Sequence, residues 1–106
     1  MGIFHLFSNA AIDAGVEEYH KTQGGILLDV RTPEEYAAGH IPDSCNLPLK
    51  ELELIVGEIP EKDAPIFLYC HSGNRSRQAK AMLERMGYCN VKNIGGIVDY
   101  HGKVEK

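Results

Sequence analysis

The sequence predicts an α/β fold in which a mostly parallel sheet carries helices on both of its faces. Two short runs, residues 26–30 and 65–69, are apolar on both faces, as the buried strands of parallel sheets are. Segments with helical spacing of apolar residues separate these runs from one another and from a final predicted strand at 91–94. Strands that alternate with helices of about ten residues are typical of parallel α/β sheets.

The first half of the chain contains two predicted helices around its apolar strand. Residues 10–21 form the first, because Ile12, Val16 and Tyr19 recur on one helical face. The second begins at Thr32, where Thr-Pro-Glu-Glu supplies an N-cap, a proline at the first helical position and a glutamate at the third. It is expected to end at the next glycine.

The second half continues the alternation of strands and helices. A short strand ends before Pro48, because proline cannot donate to a sheet ladder, and apolar residues with helical spacing follow it. The last helix is expected to end at Gly87, a natural residue for a helix C-terminus. The predicted elements of this half are strand 44–47, helix 49–59, strand 65–69, helix 76–86 and strand 91–94.

Length, composition and charge exclude several classes of protein. A chain of 106 residues fits one domain, and 43% apolar with 25% charged residues is typical of globular proteins rather than disordered ones. A net charge of -4 disfavours nucleic-acid binding, and no apolar run approaches the roughly eighteen residues of a membrane span. Residues 1–6 lack a secretory signal pattern. We therefore predict a single cytoplasmic domain over 1–106, with 1–9 as an N-terminal extension.

Cys70 is the candidate nucleophile among the three cysteines. It ends the most apolar strand, and ligands of open α/β sheets bind at the carboxyl ends of strands, beside the N-termini of the following helices. Successive amides of the next turn can form an anion nest and lower the pKa of a thiol. The turn is polar, which argues against a buried packing role for Cys70. Its residues are His71, Ser72, Gly73, Asn74, Arg75 and Ser76.

The charge distribution also points to this segment. Residues 70–85 contain four basic side chains and one acidic side chain, so they carry a net charge of +3 within an acidic protein. Such an asymmetry concentrates small anions around the thiol. We therefore predict a small anionic substrate.

Six short motifs follow one another between about residues 25 and 102. They are Asp29-Val30-Arg31, Glu34-Glu35-Tyr36, Gly39-His40-Ile41-Pro42, Asn46-Leu47-Pro48, Tyr69-Cys70 with its loop, and Gly95-Gly96-Ile97. In order and spacing they resemble the single-domain rhodanese (thiosulfate sulfurtransferase) family. The resemblance implies a parallel sheet of about five strands and a catalytic cysteine that heads a six-residue loop. It also implies a persulfide on Cys70, formed from a donor such as thiosulfate and passed to cyanide or a thiol, including a thioredoxin-like protein.

Supporting roles are predicted for residues around the loop. Arg75 is expected to bind an oxyanion or to brace the loop, and His71 to tune the thiolate or touch the substrate. Asp29 and Arg31 are expected to brace the site, with Glu35 as the partner of Arg31. For Arg75 and His71 the alternative is an exposed position without function, and for Asp29 and Arg31 it is a helix-surface ion pair without function.

The remaining reactive residues are assigned structural roles. Cys45 is expected to be a core thiol, Cys89 to lie in an exposed turn with at most a minor resolving role, and His40 with Pro42 to shape a turn. No metal or organic cofactor is predicted, because the histidines show no ligand spacing. They are His5, His20, His40, His71 and His101.

Two departures from the family pattern and three alternative functions stay open. His71 stands where thiosulfate-using relatives often carry Arg or Lys, which weakens the case for thiosulfate as the physiological donor, and Tyr100 replaces a frequent Trp. The alternatives are a sulfur or redox relay, a regulatory binding module, and a cysteine-dependent phosphatase or arsenate reductase. The phosphatase is disfavoured because only four residues separate Cys70 from Arg75, a short loop for wrapping a phosphoryl group.

Overall fold

The computed structural model describes residues 10–106 and shows a parallel sheet between two layers of helices. The extension predicted for residues 1–9 and the interpretation of residues 1–6 lie outside the described part. The α-helices are α1 (Ala11–Lys21), α2 (Pro33–Ala38), α3 (Ile55–Glu58) and α4 (Asn74–Arg85), with 3₁₀ helices at Leu49–Leu54 and Ile97–Asp99. The strands are β1 (Ile26–Asp29), β2 (Cys45–Asn46), β3 (Ile66–Cys70) and β4 (Val91–Gly96).

The sheet has the order β2-β1-β3-β4, and every pairing in it is parallel. Residues 10–106 contribute four strands, so the count of about five that the resemblance implies is wrong for this part of the chain. The chain after β4 turns into the 3₁₀ helix at Ile97–Asp99 and then makes only an isolated bridge between Glu105 and His40, so it adds no strand to this sheet. The turn predicted around His40 and Pro42 is confirmed at residues 41–44, where the Ser44 amide donates to the Ile41 carbonyl oxygen at 3.1 Å. The His40 ring stacks on that of Tyr36 with the centroids 3.8 Å apart.

Helices cover both faces of the sheet, as predicted. All five residues of β3 are buried, because this strand lies between β1 and β4 and has helices above and below it. One face packs under α4 and the 49–58 helices, and the other packs under α1. The first core cluster includes Leu28, Leu52, Ile55, Leu68 and Leu83, and the second includes Ile12, Val16, Leu27, Phe67 and Ile94.

Two helices differ from their predicted form. The segment expected to be one helix at 49–59 is a 3₁₀ helix followed by one turn of α3, because Leu49, Leu52 and Ile55 recur every third residue, the 3₁₀ period. Helix α4 begins two residues before the predicted start. Gly73 adopts φ +103°, a conformation that completes the turn after β3 and lets the helix begin at the next residue.

Two of the three cysteines, Cys45 and Cys89, are exposed. Cys45 is exposed, so the prediction of a core thiol is wrong. The cause is that β2 contains only two residues and pairs on one side only, with β1, which leaves its side chains at the edge of the sheet. Cys89 is exposed, as its turn sequence predicts.

None of the helices within residues 10–106 is both long and apolar enough to cross a membrane.

Candidate active site

Cys70 is the last residue of β3 and lies beneath the loop that follows it. Its Sγ accepts a hydrogen bond from the Gly73 amide at 2.9 Å and lies 3.5 Å from the Ser76 hydroxyl oxygen. Only 1% of the residue is exposed, so the inference from the polar turn that Cys70 is not buried is wrong. The loop folds back over the strand end instead of projecting away from it, and this burial encloses the sulfur in backbone donors.

The surroundings of Cys70 favour its thiolate. Burial alone would raise the pKa of the thiol, but hydrogen bonds from the Ser76 hydroxyl and from the amides of Ser76, Gly73 and Arg75 outweigh it. The pKa of Cys70 is therefore below its ordinary value. This direction confirms the effect predicted from the amide-rich turn.

The loop rests directly on the backbone of β4. A Cβ atom added to Gly96 would lie 2.4 Å from the carbonyl oxygen of His71 and 2.5 Å from the Cα atom of Ser72. The amide of Val98, just beyond β4, donates to that same carbonyl of His71 at 3.1 Å. Gly96 is therefore required at this contact. The double glycine is visible in the sequence, but its contact with the loop is not.

Ser76 and Asn93 connect the loop to β4 beneath Cys70. Ser76 is fully buried, and its hydroxyl donates to Asn93 Oδ1 at 2.7 Å. Asn93 Nδ2 in turn donates to the carbonyl oxygen of Gly73 at 3.3 Å. The sequence singles out Ser76 as part of the loop. It gives no signal for Asn93, because Asn93 lies in β4, far from the loop along the chain.

Arg75 and Glu35 form a two-pronged ion pair. Arg75 Nη1 lies 2.7 Å from Glu35 Oε1, and Nη2 lies 2.9 Å from Oε2. The hydrogen bonds from Arg75 lower the pKa of Glu35 to about 2. Glu35 was expected to pair with Arg31, and that prediction is wrong. The N-terminal turns of α2 and α4 meet at the carboxyl edge of the sheet, which brings Glu35 to Arg75 instead.

Asp29 and Arg31 pair with each other at the end of β1. Arg31 Nη2 lies 2.7 Å from Asp29 Oδ2 and also donates to the carbonyl oxygen of Gly39 at 2.7 Å. The two side chains are 0% and 6% exposed, so this is a buried pair and not one on a helix surface. It links β1 to the end of α2 and makes no hydrogen bond to the Cys70 loop within the described residues.

The outer part of the loop is open to solvent. His71, Ser72 and Asn74 are exposed, and the His71 ring has no hydrogen-bond partner among residues 10–106. Beside the loop lies a cavity of about 340 Å³ at the carboxyl ends of β1 and β2. It is lined by Val30, Thr32, Pro33, Glu34, Pro48, Leu49, Lys50, Glu51 and Arg75. Within the described part of the chain, no group of three or more His, Cys, Asp or Glu side chains is arranged to hold a metal ion.

The fold and the site together define a class of protein: a parallel α/β sheet in which the amides of a strand-to-helix turn enclose a cysteine sulfur. The model of the Rhodanese-like domain matches residues 13–103, and the chain belongs to this family. It is 44% identical over 73 residues to thiosulfate sulfurtransferase PspE of Escherichia coli, covering 68% of this chain and 70% of that protein. It is 45% identical over 84 residues to a sulfurtransferase of Allochromatium vinosum, covering 76% and 78%.

A solved structure carries the same fold. The structure described as a rhodanese with anions from E. coli superposes with a TM-score of 0.72 at 40% sequence identity. The match covers 77% of this chain and 98% of that one. The rhodanese resemblance predicted from the six motifs is therefore confirmed.

Proposed function

We propose that this protein is a sulfurtransferase that carries sulfane sulfur as a persulfide on Cys70. The observation that carries the proposal is the position of Sγ, which is enclosed by amide donors that lower the pKa of the thiol. Membership of the rhodanese family supports it, as do the two relatives named thiosulfate sulfurtransferase and sulfurtransferase. The donor is a small anion such as thiosulfate, and the acceptor is cyanide or a thiol, including a thioredoxin-like protein.

The reaction consists of two displacements at sulfur. The Cys70 thiolate attacks the sulfane sulfur of thiosulfate, so that a new S–S bond forms while the S–S bond of the donor breaks and sulfite leaves with its electron pair. The acceptor, as cyanide or a thiolate, then attacks the outer sulfur of the persulfide. The electron pair of the breaking bond returns to Sγ, and thiocyanate or a persulfide of the acceptor leaves. No separate general base is needed, because the amides already favour the thiolate.

The burial of Cys70 limits the substrates that reach it. With 1% of the residue exposed, we propose that Sγ is reached only by the terminal sulfur of a small donor, past the exposed residues His71 and Ser72. The same amides then hold the added sulfur. In the proposed mechanism, the net charge of +3 over residues 70–85 attracts the anionic donor.

The neighbouring charged residues brace this site in the proposed mechanism. Arg75 directs its donors to Glu35, which favours the bracing role over direct binding of an oxyanion. Asp29 and Arg31 fix the end of the neighbouring strand. Ser72 and Asn74 lie on the exposed outer part of the loop. His71 lies there as well, and in the proposed mechanism it contacts the donor or the acceptor.

A sulfur relay is the second candidate, and one observation favours it. The enclosed position of Cys70 protects a persulfide from bulk solvent, which suits a carrier that delivers its sulfur to one partner. The sulfurtransferase and the relay both use the Cys70 persulfide, and they differ in how fast they turn over with small-molecule acceptors. The short loop that separates Cys70 from Arg75 remains the argument against a phosphatase or arsenate reductase.

Turnover and mass measurements together test the proposal. After incubation with thiosulfate, the intact mass is expected to increase by one sulfur atom, and Cys70→Ser is expected to gain none. With cyanide present, thiocyanate is expected to form in the wild type and not in the variant. Slow thiocyanate formation with fast transfer to a thiol protein would favour the relay. Turnover of an aryl phosphate without any gain of sulfur would overturn the proposal.

A further inference from the structure

The ladder between β3 and β4 is interrupted next to the Cys70 loop. Leu68 pairs with Asn93, but the next residue, Tyr69, pairs with Gly95, so that Ile94 is an extra residue on β4. Such a bulge bends a strand and redirects its side chains, and bulges are common beside active sites. Here it leaves the side chain of Asn93 against the loop, where Oδ1 also accepts the Gly95 amide at 3.1 Å.

The orientation of the Asn93 amide is fixed by its partners. Oδ1 receives the Gly95 amide at 3.1 Å and the Ser76 hydroxyl at 2.7 Å, while Nδ2 donates to the Gly73 carbonyl at 3.3 Å. A flipped amide would place its amino group against the Gly95 N–H and its oxygen against the Gly73 oxygen. Asn93 therefore holds both Gly73 and Ser76, the two residues whose donors lie nearest to Sγ.

The Ser76 hydroxyl has one proton and three acceptors around it. Asn93 Oδ1 lies at 2.7 Å, the Gly73 carbonyl oxygen at 3.1 Å and Cys70 Sγ at 3.5 Å. Asn93 Oδ1 and Cys70 Sγ thus compete as acceptors for the single proton of the Ser76 hydroxyl. When sulfur is anionic and the hydroxyl turns toward it, Oδ1 keeps the Gly95 amide as a donor and is not left unsatisfied.

We propose that Asn93 is a positioning residue for Cys70, which acts by holding the Gly73 peptide and by sharing the Ser76 proton with the sulfur. Its effect on sulfur transfer rests on the proposed function, whereas its effect on the thiol does not. The charged groups near the thiol are already paired, Arg75 with Glu35 and Arg31 with Asp29. Lys80 and Lys92, which line a cavity together with Asn93, are paired with Glu84 and Glu18. The lysines beside position 93 therefore already have carboxylate partners, and a new negative charge there would act on Sγ.

The test is the pH dependence of Cys70 alkylation by iodoacetamide in a background of Cys45→Ser and Cys89→Ser. Asn93→Asp adds a negative charge, holds the Ser76 proton more tightly and removes the donor to Gly73, and all three effects disfavour the thiolate. The midpoint of the curve of alkylation rate against pH is expected to rise by about one pH unit. Under saturating thiosulfate, kcat is expected to fall about tenfold with KM nearly unchanged.

Asn90→Asp is the matched control, because Asn90 is an exposed residue just before β4 and binds the Asp63 carbonyl rather than the loop. It adds the same charge and is expected to leave both midpoint and kcat unchanged. A Ser76→Ala background is expected to reduce the midpoint shift caused by Asn93→Asp, because part of that shift passes through the hydroxyl.

A midpoint for Asn93→Asp equal to that of Asn90→Asp would overturn the proposal. If thermal melting shows Asn93→Asp to be unfolded, Asn93→Gln decides, since its longer side chain keeps a neutral amide but displaces it from Gly73 and Ser76. A raised midpoint with Asn93→Gln supports the proposal, and a wild-type midpoint overturns it. Since alkylation requires no sulfur donor, failure of wild-type persulfide formation would contradict the proposed function alone.

Discussion

The carboxylate of Glu35 and the guanidinium of Arg75 are joined by two hydrogen bonds, 2.7 and 2.9 Å long, between residues that are forty positions apart in the chain. These bonds tie the first turn of α2 to the first turn of α4, which together with the preceding Gly73 supplies the amides around the thiol. Because both side chains are about one-third exposed, solvent weakens the pair, and its contribution to stability is modest.

Glu35→Gln is expected to lower stability at neutral pH and to have no effect in strong acid. The folded pKa of Glu35 is about 2, below its ordinary value of 4.5, so the ion pair contributes fully above the ordinary value and its contribution is lost as the pH falls toward 2. At pH 7 the expected difference is about 1 kcal/mol or less. Urea unfolding of both proteins across this range measures it. A difference that stayed constant down to pH 2 would contradict the assigned pair.

Gly96→Ala is expected to impair sulfur transfer by displacing the Cys70 loop. The new methyl group would lie 2.4 Å from the His71 carbonyl oxygen, so the loop must move away from β4. Since the loop positions the amides that favour the thiolate, we expect a loss of about tenfold or more in kcat. Gly57→Ala is the matched control, because no atom lies within 4 Å of its added methyl group. Equal activity in the two variants would show that the loop does not depend on this contact.

Asp29→Asn is expected to destabilise the fold strongly. It leaves the guanidinium of Arg31 buried without its counterion, and breaking a buried pair in this way costs about 3 to 5 kcal/mol. The exposed pair between Lys80 and Glu84 provides the comparison, since Glu84→Gln is expected to cost about 0.5 kcal/mol or less. Urea unfolding at pH 7 measures both. Similar losses for the two variants would contradict the structural role assigned to Asp29.

Local signals in the sequence predict the parts of the fold that depend on neighbours along the chain. The start of α2 is an example, because Thr32 and Glu35 cap each other's backbone amides as their spacing predicts. The apolar run before Cys70 likewise predicts a buried central strand with the thiol at its carboxyl end. Both inferences rest on contacts within a few residues.

Contacts between distant segments account for the errors and omissions. Arg31 and Arg75 are both candidate partners of Glu35. Only the placement of α4 shows that Arg75 is the partner. Asn93 contacts the loop beside a bulge, and although Gly95 is a residue type that often marks bulges, it does not show which side chain faces the loop. The exposure of Cys45 depends on β2 lying at the edge of the sheet, which is a property of the strand order rather than of the strand.

The most direct test of the central claim compares the three thiols of the wild-type protein after treatment with thiosulfate. Cys45 and Cys89 are exposed, whereas Cys70 is buried among amide donors, so simple accessibility and thiolate stabilisation predict opposite outcomes. Peptide mapping by mass spectrometry without reduction locates the added sulfur. We expect it on Cys70 alone. Sulfur on Cys45 or Cys89, with Cys70 unmodified, would contradict the assignment of Cys70 as the sulfur carrier.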